Sequence, residues 1–387
     1  MKILKKSVAV ALGALMVGSS LGGCAQATVF GNYPQDLSWA YKDDTSSLPI
    51  GGYIYYNYSA FLSASQMVTN GTGDFLDQKL KNNDDKEVTA QEYIDQTTEE
   101  ACVNFLYVNK LFNEKKLKLS SEDIASYESN ADSAWSYYKT TFEAMGVSKD
   151  SFVQAGYENP AKLEAIFKSM YQKGGEKEVN QADLKKYYEE NYVNYSYFSV
   201  PLYDSSTDDN GQSKTTKKSD KDTEAIKKNL KKYSDAINGG TSYEDEVKVY
   251  MKDYNIESDP TISATNILEN ASLGEDIQKA IEGLKDGKAT YITVGEDGDT
   301  PSCYLIYRGD IKKESEKLKD DESLQYTTLV SMKSEEFQKD IKAQAKDIKC
   351  DVNTAAINKY PCTNYITEPA TQAATSSESV VSEGKVS

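Results

Sequence analysis

The sequence predicts an α+β protein, in which a helical N-terminal domain is completed by a C-terminal helix and a small α+β domain is inserted between them. Three observations predict this architecture. Helix signals follow one another through residues 48–192 without a strand pattern. Strand and helix patterns mix in residues 193–312, and the chain returns to a helical pattern in residues 313–362. We expect these three ranges to be the domain boundaries.

Capping signals define the helices of the first range. Thr89-Ala90-Gln91-Glu92 is a capping box, and Asn159-Pro160 combines a cap with a proline suited to the first helical position. The stretch LPIGGYIYYNYSAFLSASQMV, residues 48–68, is apolar on nearly every side. A helix of this kind is expected to lie between other helices.

The inserted range begins with the alternating, β-rich stretch VNYSYFSVPLY. A polar run at 205–224 predicts an exposed, mobile loop. Two helices are expected next, over 224–237 and from 242 to about 254. A further helix ends at Leu284, and the segment KATYITV then predicts a strand that a GEDGD hairpin turn joins to a last strand.

Composition excludes several functions. The net charge of −17 argues against binding a nucleic-acid backbone, which requires lysine and arginine to neutralise phosphates. The chain has no histidine, which excludes histidine bases, Ser-His-Asp triads and histidine-ligated metals. No spacing indicates a metal site or a cofactor, and we expect neither.

The first residues resemble a bacterial lipoprotein signal. Three lysines precede a short apolar run, and Leu21-Gly22-Gly23-Cys24 matches a lipobox. The resemblance implies cleavage after residue 23, lipidation of Cys24 and a tether over residues 24–47. Since two or more acyl chains anchor a protein stably, we expect attachment to the outer face of the cell membrane. Residues 363–387 are rich in Ser, Thr and Ala and predict a disordered tail.

Four further cysteines are Cys102, Cys303, Cys350 and Cys362. The absence of a CxxC pair argues against structural zinc. Cys350 and Cys362 are the candidate pair for a disulfide across a short loop in an oxidising medium. The sequence leaves the pairing open.

Three segments of the inserted range resemble a parvulin-type prolyl isomerase domain. They are INGGTSYEDEV, LGEDIQKAIEGLKDGKATYITV and SCYLIYRG. Together with the lipobox and the flanking helical parts, residues 35–350 resemble the PrsA and SurA family of extracytoplasmic foldases. The resemblance implies a helical part that cradles unfolded exported polypeptides, here called clients.

The same resemblance puts the chemistry in doubt. The family holds proline beside a polar network with two histidines, and these would fall at or near Tyr197 and at Tyr304. The family's Gly-Gly-x-Leu-Gly turn is replaced by ISATNILENAS, residues 262–272. We therefore expect prolyl isomerase activity to be weak or absent, and the function to be binding.

The expected client contact surface is aromatic. Its candidate residues are Tyr53, Tyr55, Tyr56, Tyr58 and Phe61. The alternative is that these rings form part of the core. The acidic charge would favour basic clients.

Two other classes stay open. A solute-binding lipoprotein would need two α/β lobes with repeated strand–helix alternation, which residues 48–192 lack. An adhesive surface protein would be consistent with the tripeptide Arg308-Gly309-Asp310, although a chance match is the simpler explanation. The oligomeric state cannot be read from the sequence.

Overall fold

The computed structural model describes residues 33–68, 74–82, 85–207 and 211–365. Cys24, the signal segment and nearly all of the 363–387 tail lie outside these ranges. The described residues form two compact units. Residues 171–334 form one, here called the sheet unit, and the described residues before 171 and after 334 form the other, here called the helical unit.

The helical unit contains most of the long helices. In chain order its elements are β1 Trp39–Lys42, β2 Ser47–Pro49, α1 Ile50–Met67, β3 Lys79–Lys81, β4 Glu87–Thr89, α2 Ala90–Glu114, α3 Ser121–Ala144, α4 Lys149–Val153, a π-helical turn Gln154–Glu158 and α5 Asn159–Tyr171. After the sheet unit come β11 Asp351–Val352 and α12 Thr354–Ile357.

The sheet unit mixes helices and strands. Its elements are α6 Gln181–Asn191, β5 Val193–Pro201, β6 Tyr203–Thr207, β7 Ser213–Lys217, α7 Asp220–Asn238, α8 Tyr243–Asp253, β8 Ile262–Asn266, α9 Glu275–Gly283, β9 Lys288–Val294, β10 Ser302–Arg308 and α10 Ile311–Ser315. Helix α11, Glu322–Ala345, begins in this unit and ends in the helical unit.

The main sheet has the strand order β8-β5-β10-β9. All of its neighbouring strands are antiparallel. Helices α7 and α8 pack on one face through Leu230, Tyr233, Val247 and Tyr250. Helix α9 packs on the other face through Ile277 and Ile281. The α+β class predicted from the sequence is confirmed.

Two sequence expectations are corrected. Residues 48–192 contain strands as well as helices, because β3 and β4 pair as a short hairpin and β2 pairs with β1. Within the polar run expected as a mobile loop, the described residues instead belong to the paired strands β6 and β7 and to the first turn of α7. Strands of three residues are too short to show a period, and β6 and β7, which are rich in Ser, Thr and Lys, have no apolar alternation, so neither kind of pairing left a periodic signal in the sequence.

Helix α1 lies at the centre of the helical unit. Fourteen of its eighteen residues are buried. Its Tyr55 ring contacts Tyr56, Phe142 and Phe152, with centroid distances of 5.6, 5.8 and 5.6 Å. These contacts join α1 to α3 and α4, so one aromatic cluster fixes three helices.

The C-terminal half of α11 belongs to the core of the helical unit. Phe337 packs edge-on against Phe167 of α5 at 5.2 Å between centroids. The Tyr107 hydroxyl of α2 donates a hydrogen bond to Gln344 Oε1 at 2.6 Å. The chain after the sheet unit thus returns to α2 and α5.

No helix within the described residues has both the length and the apolar character needed to cross a membrane.

We predict that Gly51→Ala destabilises the helical unit by about 1–3 kcal/mol. Alanine is the better helix former by up to about 1 kcal/mol, but a Cβ at Gly51 would lie 2.7 Å from Ser151 Cβ of α4. The free-energy cost of overpacking is therefore expected to exceed the gain in helix propensity. Denaturant unfolding followed by circular dichroism measures the change.

Gly283→Ala is the matched control. Gly283 ends α9 and is exposed, and a methyl group added there would meet no neighbouring atom within 4 Å. This variant should be as stable as the wild type or slightly more stable. Equal stability of Gly51→Ala and Gly283→Ala would contradict the close packing of α1 on α4.

We predict that stability falls as the pH rises from about 10 to 12. Burial raises the pKa of Tyr188 and of Tyr250 to about 12. Above pH 10 the unfolded chain releases phenol protons that the folded chain retains, so ionisation favours unfolding by up to about 1.4 kcal/mol per pH unit and tyrosine. Below pH 10 these groups are neutral in both states and their contribution is constant. Urea unfolding at a series of pH values checks this, and unchanged stability up to pH 12 would contradict it.

Candidate functional site

The alternation of β5 and β10 separates their side chains onto two faces of the main sheet. Phe198 and Leu305 point toward α7 and α8. Tyr195, Tyr197, Tyr304 and Ile306 lie on the opposite face. Because side chains in a strand alternate with a period of two, this division follows from the strand pattern itself.

The strand register brings Tyr197 and Tyr304 together. Ile306 lies opposite Tyr197, and Tyr304 lies opposite Ser199, so the two tyrosines are diagonal neighbours on adjacent strands. Their ring centroids are 5.9 Å apart, with the planes inclined at 49°. The two positions singled out from the sequence therefore share one site.

Helix α9 covers only part of this face. Ile277 and Ile281 pack over Tyr195 and Ile306, which are buried. The part that stays half-exposed contains Tyr197, Tyr304, Ile292 and Val294, and at its edge Ile262 is 53% exposed. We call these five residues the tyrosine face.

The register also places the aliphatic members of the tyrosine face. Ile292 of β9 lies directly opposite Tyr304. Ile262 of β8 lies directly opposite Tyr197. Directly opposed side chains of antiparallel strands are about 5 Å apart at Cβ, so each tyrosine has an aliphatic neighbour.

The tyrosine face offers hydrogen-bonding groups. Burial raises the pKa of Tyr197, and the nearby Tyr195 and Tyr304 add to the effect. The phenol of Tyr197 is therefore uncharged at neutral pH. Within the described ranges neither Tyr197 nor Tyr304 uses its hydroxyl in a hydrogen bond, so both can donate to a ligand carbonyl or accept from a ligand amide.

The opposite face of the sheet is closed. Phe198 stacks on Tyr250 of α8, with centroids 4.0 Å apart and planes 15° apart. Cys303 is fully buried there, and burial raises the pKa of its thiol. A buried neutral thiol is not a reactive nucleophile.

The five aromatic candidates of α1 lie in the core. Tyr53, Tyr55, Tyr56, Tyr58 and Phe61 are each at most 9% exposed. The Tyr56 hydroxyl donates to the carbonyl of Ala155 at 3.0 Å. The structure places them where the core alternative expects them, and a client could reach them only if the helical unit opened.

The candidate disulfide partners are thiols in the structure. Cys350 and Cys362 are both unbonded to another sulfur. The Cys362 thiol instead donates to Gln91 Oε1 at 3.2 Å. The suggested Cys350–Cys362 pairing is therefore not present here. Cys24 lies outside the described residues.

The Arg308-Gly309-Asp310 tripeptide serves the fold. Arg308 Nε pairs with Asp286 at 2.8 Å, and Asp310 caps α10 by accepting from the Lys312 amide at 3.0 Å. Gly309 is buried, and a Cβ there would overlap the side-chain amide of Asn194. The tripeptide is thus not displayed as an exposed loop.

Sequence reasoning missed three members of the tyrosine face: Ile262, Ile292 and Val294. The alternation in KATYITV puts Thr290, Ile292 and Val294 on one side of β9. It does not reveal which strand they pair with. Within the ranges that the structure describes, no group of three Cys, Asp or Glu side chains is suited to holding a metal ion.

Comparisons with known proteins give distant structural neighbours. No protein-family model matches the chain, and no curated protein matches it. The foldase protein PrsA from Streptococcus pneumoniae str. Canada MDR_19A is 16% identical, with a TM-score of 0.34 over 75% of this chain and 100% of that chain. The foldase protein PrsA from Lactococcus lactis is 15% identical, with a TM-score of 0.32 over 84% of this chain and 99% of that chain. At these values the function has to be inferred from the residues of this chain.

We predict different stability costs for two tyrosines of β5. Tyr195 is buried under α9, so Tyr195→Ala should cost about 3–5 kcal/mol. Tyr197 is half-exposed, so Tyr197→Ala should cost about 1–2 kcal/mol. Urea unfolding of the two variants makes the comparison, and equal losses would contradict an open tyrosine face.

Proposed function

We propose that this chain is a membrane-anchored, extracytoplasmic folding factor that binds unfolded exported polypeptides and has weak or no prolyl isomerase activity. The tyrosine face of the sheet unit is the observation that carries the proposal. Residues 193–312 act as its parvulin-like domain, and the lipid anchor is at Cys24.

The chemistry of the tyrosine face supports binding to many sequences. Ile262, Ile292 and Val294 supply aliphatic surface beside two tyrosine rings. Unfolded polypeptides expose apolar side chains and unpaired peptide groups. Tyrosine suits both, because its ring is apolar and its hydroxyl bonds to peptide groups.

The identity of residues 197 and 304 also supports the proposal that prolyl isomerase activity is weak or absent. The family resemblance puts its two histidines at or near Tyr197 and at Tyr304, and the chain has no histidine elsewhere. In the structure the rings of these two tyrosines lie 5.9 Å apart between centroids. The barrier to peptide-bond rotation is about 18–20 kcal/mol, so binding alone does not make the reaction fast.

The competing classes have less support. Solute-binding lobes are built on strand–helix alternation, and throughout the described ranges every paired strand is antiparallel. The adhesive alternative rested on a tripeptide whose charged side chains both have internal partners.

The proposal predicts suppression of client aggregation by the tyrosine face. The test mixes an unfolded model client with residues 25–387 in equimolar amounts and follows light scattering. We expect wild-type protein to reduce aggregation and the double variant Ile262→Ser/Tyr304→Ser to lose at least about half of that effect, because two apolar contacts are removed.

The matched control is Val249→Ser/Tyr137→Ser. It removes one exposed aliphatic residue and one exposed tyrosine that lie outside the tyrosine face, at 36% and 80% exposure. This control should suppress aggregation as the wild type does. Full suppression by the tyrosine-face variant, or none by the wild type, would overturn the proposal.

A further inference from the structure

A groove runs along α3 in the helical unit, separate from the tyrosine face. Its other wall is formed by α4, the π-helical turn and α5. Two adjoining cavities of about 320 and 440 Å³ make up the groove, and Tyr127 lines both. The α3 residues that line it run from Asp123 to Asp132.

The groove is open because small side chains face each other across it. Ser126 and Asn130 of α3 lie opposite Ala161 and Ala165 of α5 in the first cavity. Such short side chains do not fill the space between the two helices. Only Ala131, Trp135 and Phe142 of the 24 residues of α3 are buried, so most of this helix faces solvent.

The walls of the groove are acidic. Six carboxylates line the two cavities against two lysines: Asp123, Glu128, Asp132, Asp150, Glu158 and Glu164 against Lys149 and Lys168. The lining therefore carries four more negative than positive charges.

The lysines around the groove already have partners. Lys149 pairs with Asp132 and Lys168 pairs with Glu164, each at 2.8 Å. Lys162, which lies outside the two cavities, pairs with Glu158 at 2.7 Å. Glu128 and Asp150 have no ion pair within the described residues, so these two carboxylates are available to a basic ligand.

An aromatic ring lies among these carboxylates. Tyr127 is half-buried, and burial, followed by the negative charges of Glu158 and Glu128, raises its pKa. Across the groove, the half-buried Tyr157 packs on Phe152 at 5.3 Å between centroids. An aromatic face with carboxylates beside it attracts a lysine ammonium or an arginine guanidinium through both charge and ring.

The length of the groove fits an extended peptide. Nine helical steps from Asp123 to Asp132 span roughly 14 Å at 1.5 Å per residue. About four residues of extended chain cover that distance. A single amine or a small metabolite would fill only one of the two cavities.

We propose that this acidic groove binds a lysine- or arginine-rich segment of an unfolded polypeptide. The proposal rests on the folding-factor function and adds to it the chemical class of client and a second contact surface. The net charge of −17 also favours basic clients, because a negatively charged protein attracts positively charged chains before contact is made.

The test measures binding of a labelled peptide that alternates lysine and serine to residues 25–387 at low ionic strength, by fluorescence anisotropy. The wild type should bind this peptide and should not bind the version with glutamine in place of lysine. Glu128→Gln/Asp150→Asn should weaken binding about tenfold, because two unpaired carboxylates are lost. Tyr127→Ala should weaken it further when added to that pair of changes.

The charge-matched control is Glu257→Gln/Asp297→Asn, which alters two exposed acids of the sheet unit. This control should bind the lysine peptide as the wild type does. Equal binding by the groove variant and the control, or equal binding of the lysine and glutamine peptides, would overturn the groove proposal.

The aggregation assay separates this proposal from the proposed function. If the wild type suppresses aggregation but does not bind the lysine peptide, the groove proposal is wrong and the folding factor stands. If the lysine peptide binds with the expected variant pattern but aggregation is never suppressed, the groove binds basic peptides and the folding-factor function is wrong.

Discussion

The tyrosine face stays half-exposed because, among the described residues, only the short helix α9 and the segment just before it pack on this side of the main sheet. Helix α9 has nine residues, roughly 14 Å of helix, whereas β10 has seven residues and spans roughly 23 Å. Ile277 and Ile281 of α9, together with Leu268 and Ala271, form one buried cluster with Tyr195 and Ile306. Tyr197, Tyr304, Ile292 and Val294 pack against this cluster but stay half-exposed, and the proposed function depends on that exposure.

The two candidate surfaces differ in chemistry. The tyrosine face is apolar with two phenol hydroxyls, and it suits the hydrophobic segments of an unfolded chain. The acidic groove of the helical unit carries unpaired carboxylates and suits basic segments. An unfolded exported polypeptide contains both kinds of segment. A protein with both surfaces can bind clients without reading a defined sequence, which is what a folding factor requires.

The sequence predicted what depends on local signals. The capping box at Thr89 and Glu92 is present, and the strand predicted over KATYITV is β9. Tyr197 and Tyr304 were chosen by family resemblance, and the register of β5 and β10 places them side by side. The rest depends on contacts between distant parts of the chain. The hairpin β6–β7 has no apolar alternation, and the walls of the acidic groove are about 30 residues apart in sequence.

The aromatic residues of α1 are core residues because the helix is buried on nearly every side. A helix with tyrosines on all sides is consistent with both a binding surface and a central core helix, and the sequence does not distinguish them. In the fold, α1 lies between α2, α3 and α4, and Gly51 allows α4 to approach closely. Aromatic content alone therefore did not distinguish core from surface, whereas the strand register identifies tyrosines that stay half-exposed.

Refolding of a proline-limited model protein tests the central claim most directly. Residues 25–387 would be added first in catalytic and then in stoichiometric amounts, with the rate of the slow phase and the yield both recorded. We expect no acceleration at catalytic amounts and a higher yield at stoichiometric amounts, since in the proposed function the tyrosine face binds the chain without lowering the rotation barrier. Strong acceleration at catalytic amounts, lost in Tyr197→Ala and Tyr304→Ala, would contradict this account and make the tyrosine pair an isomerase site.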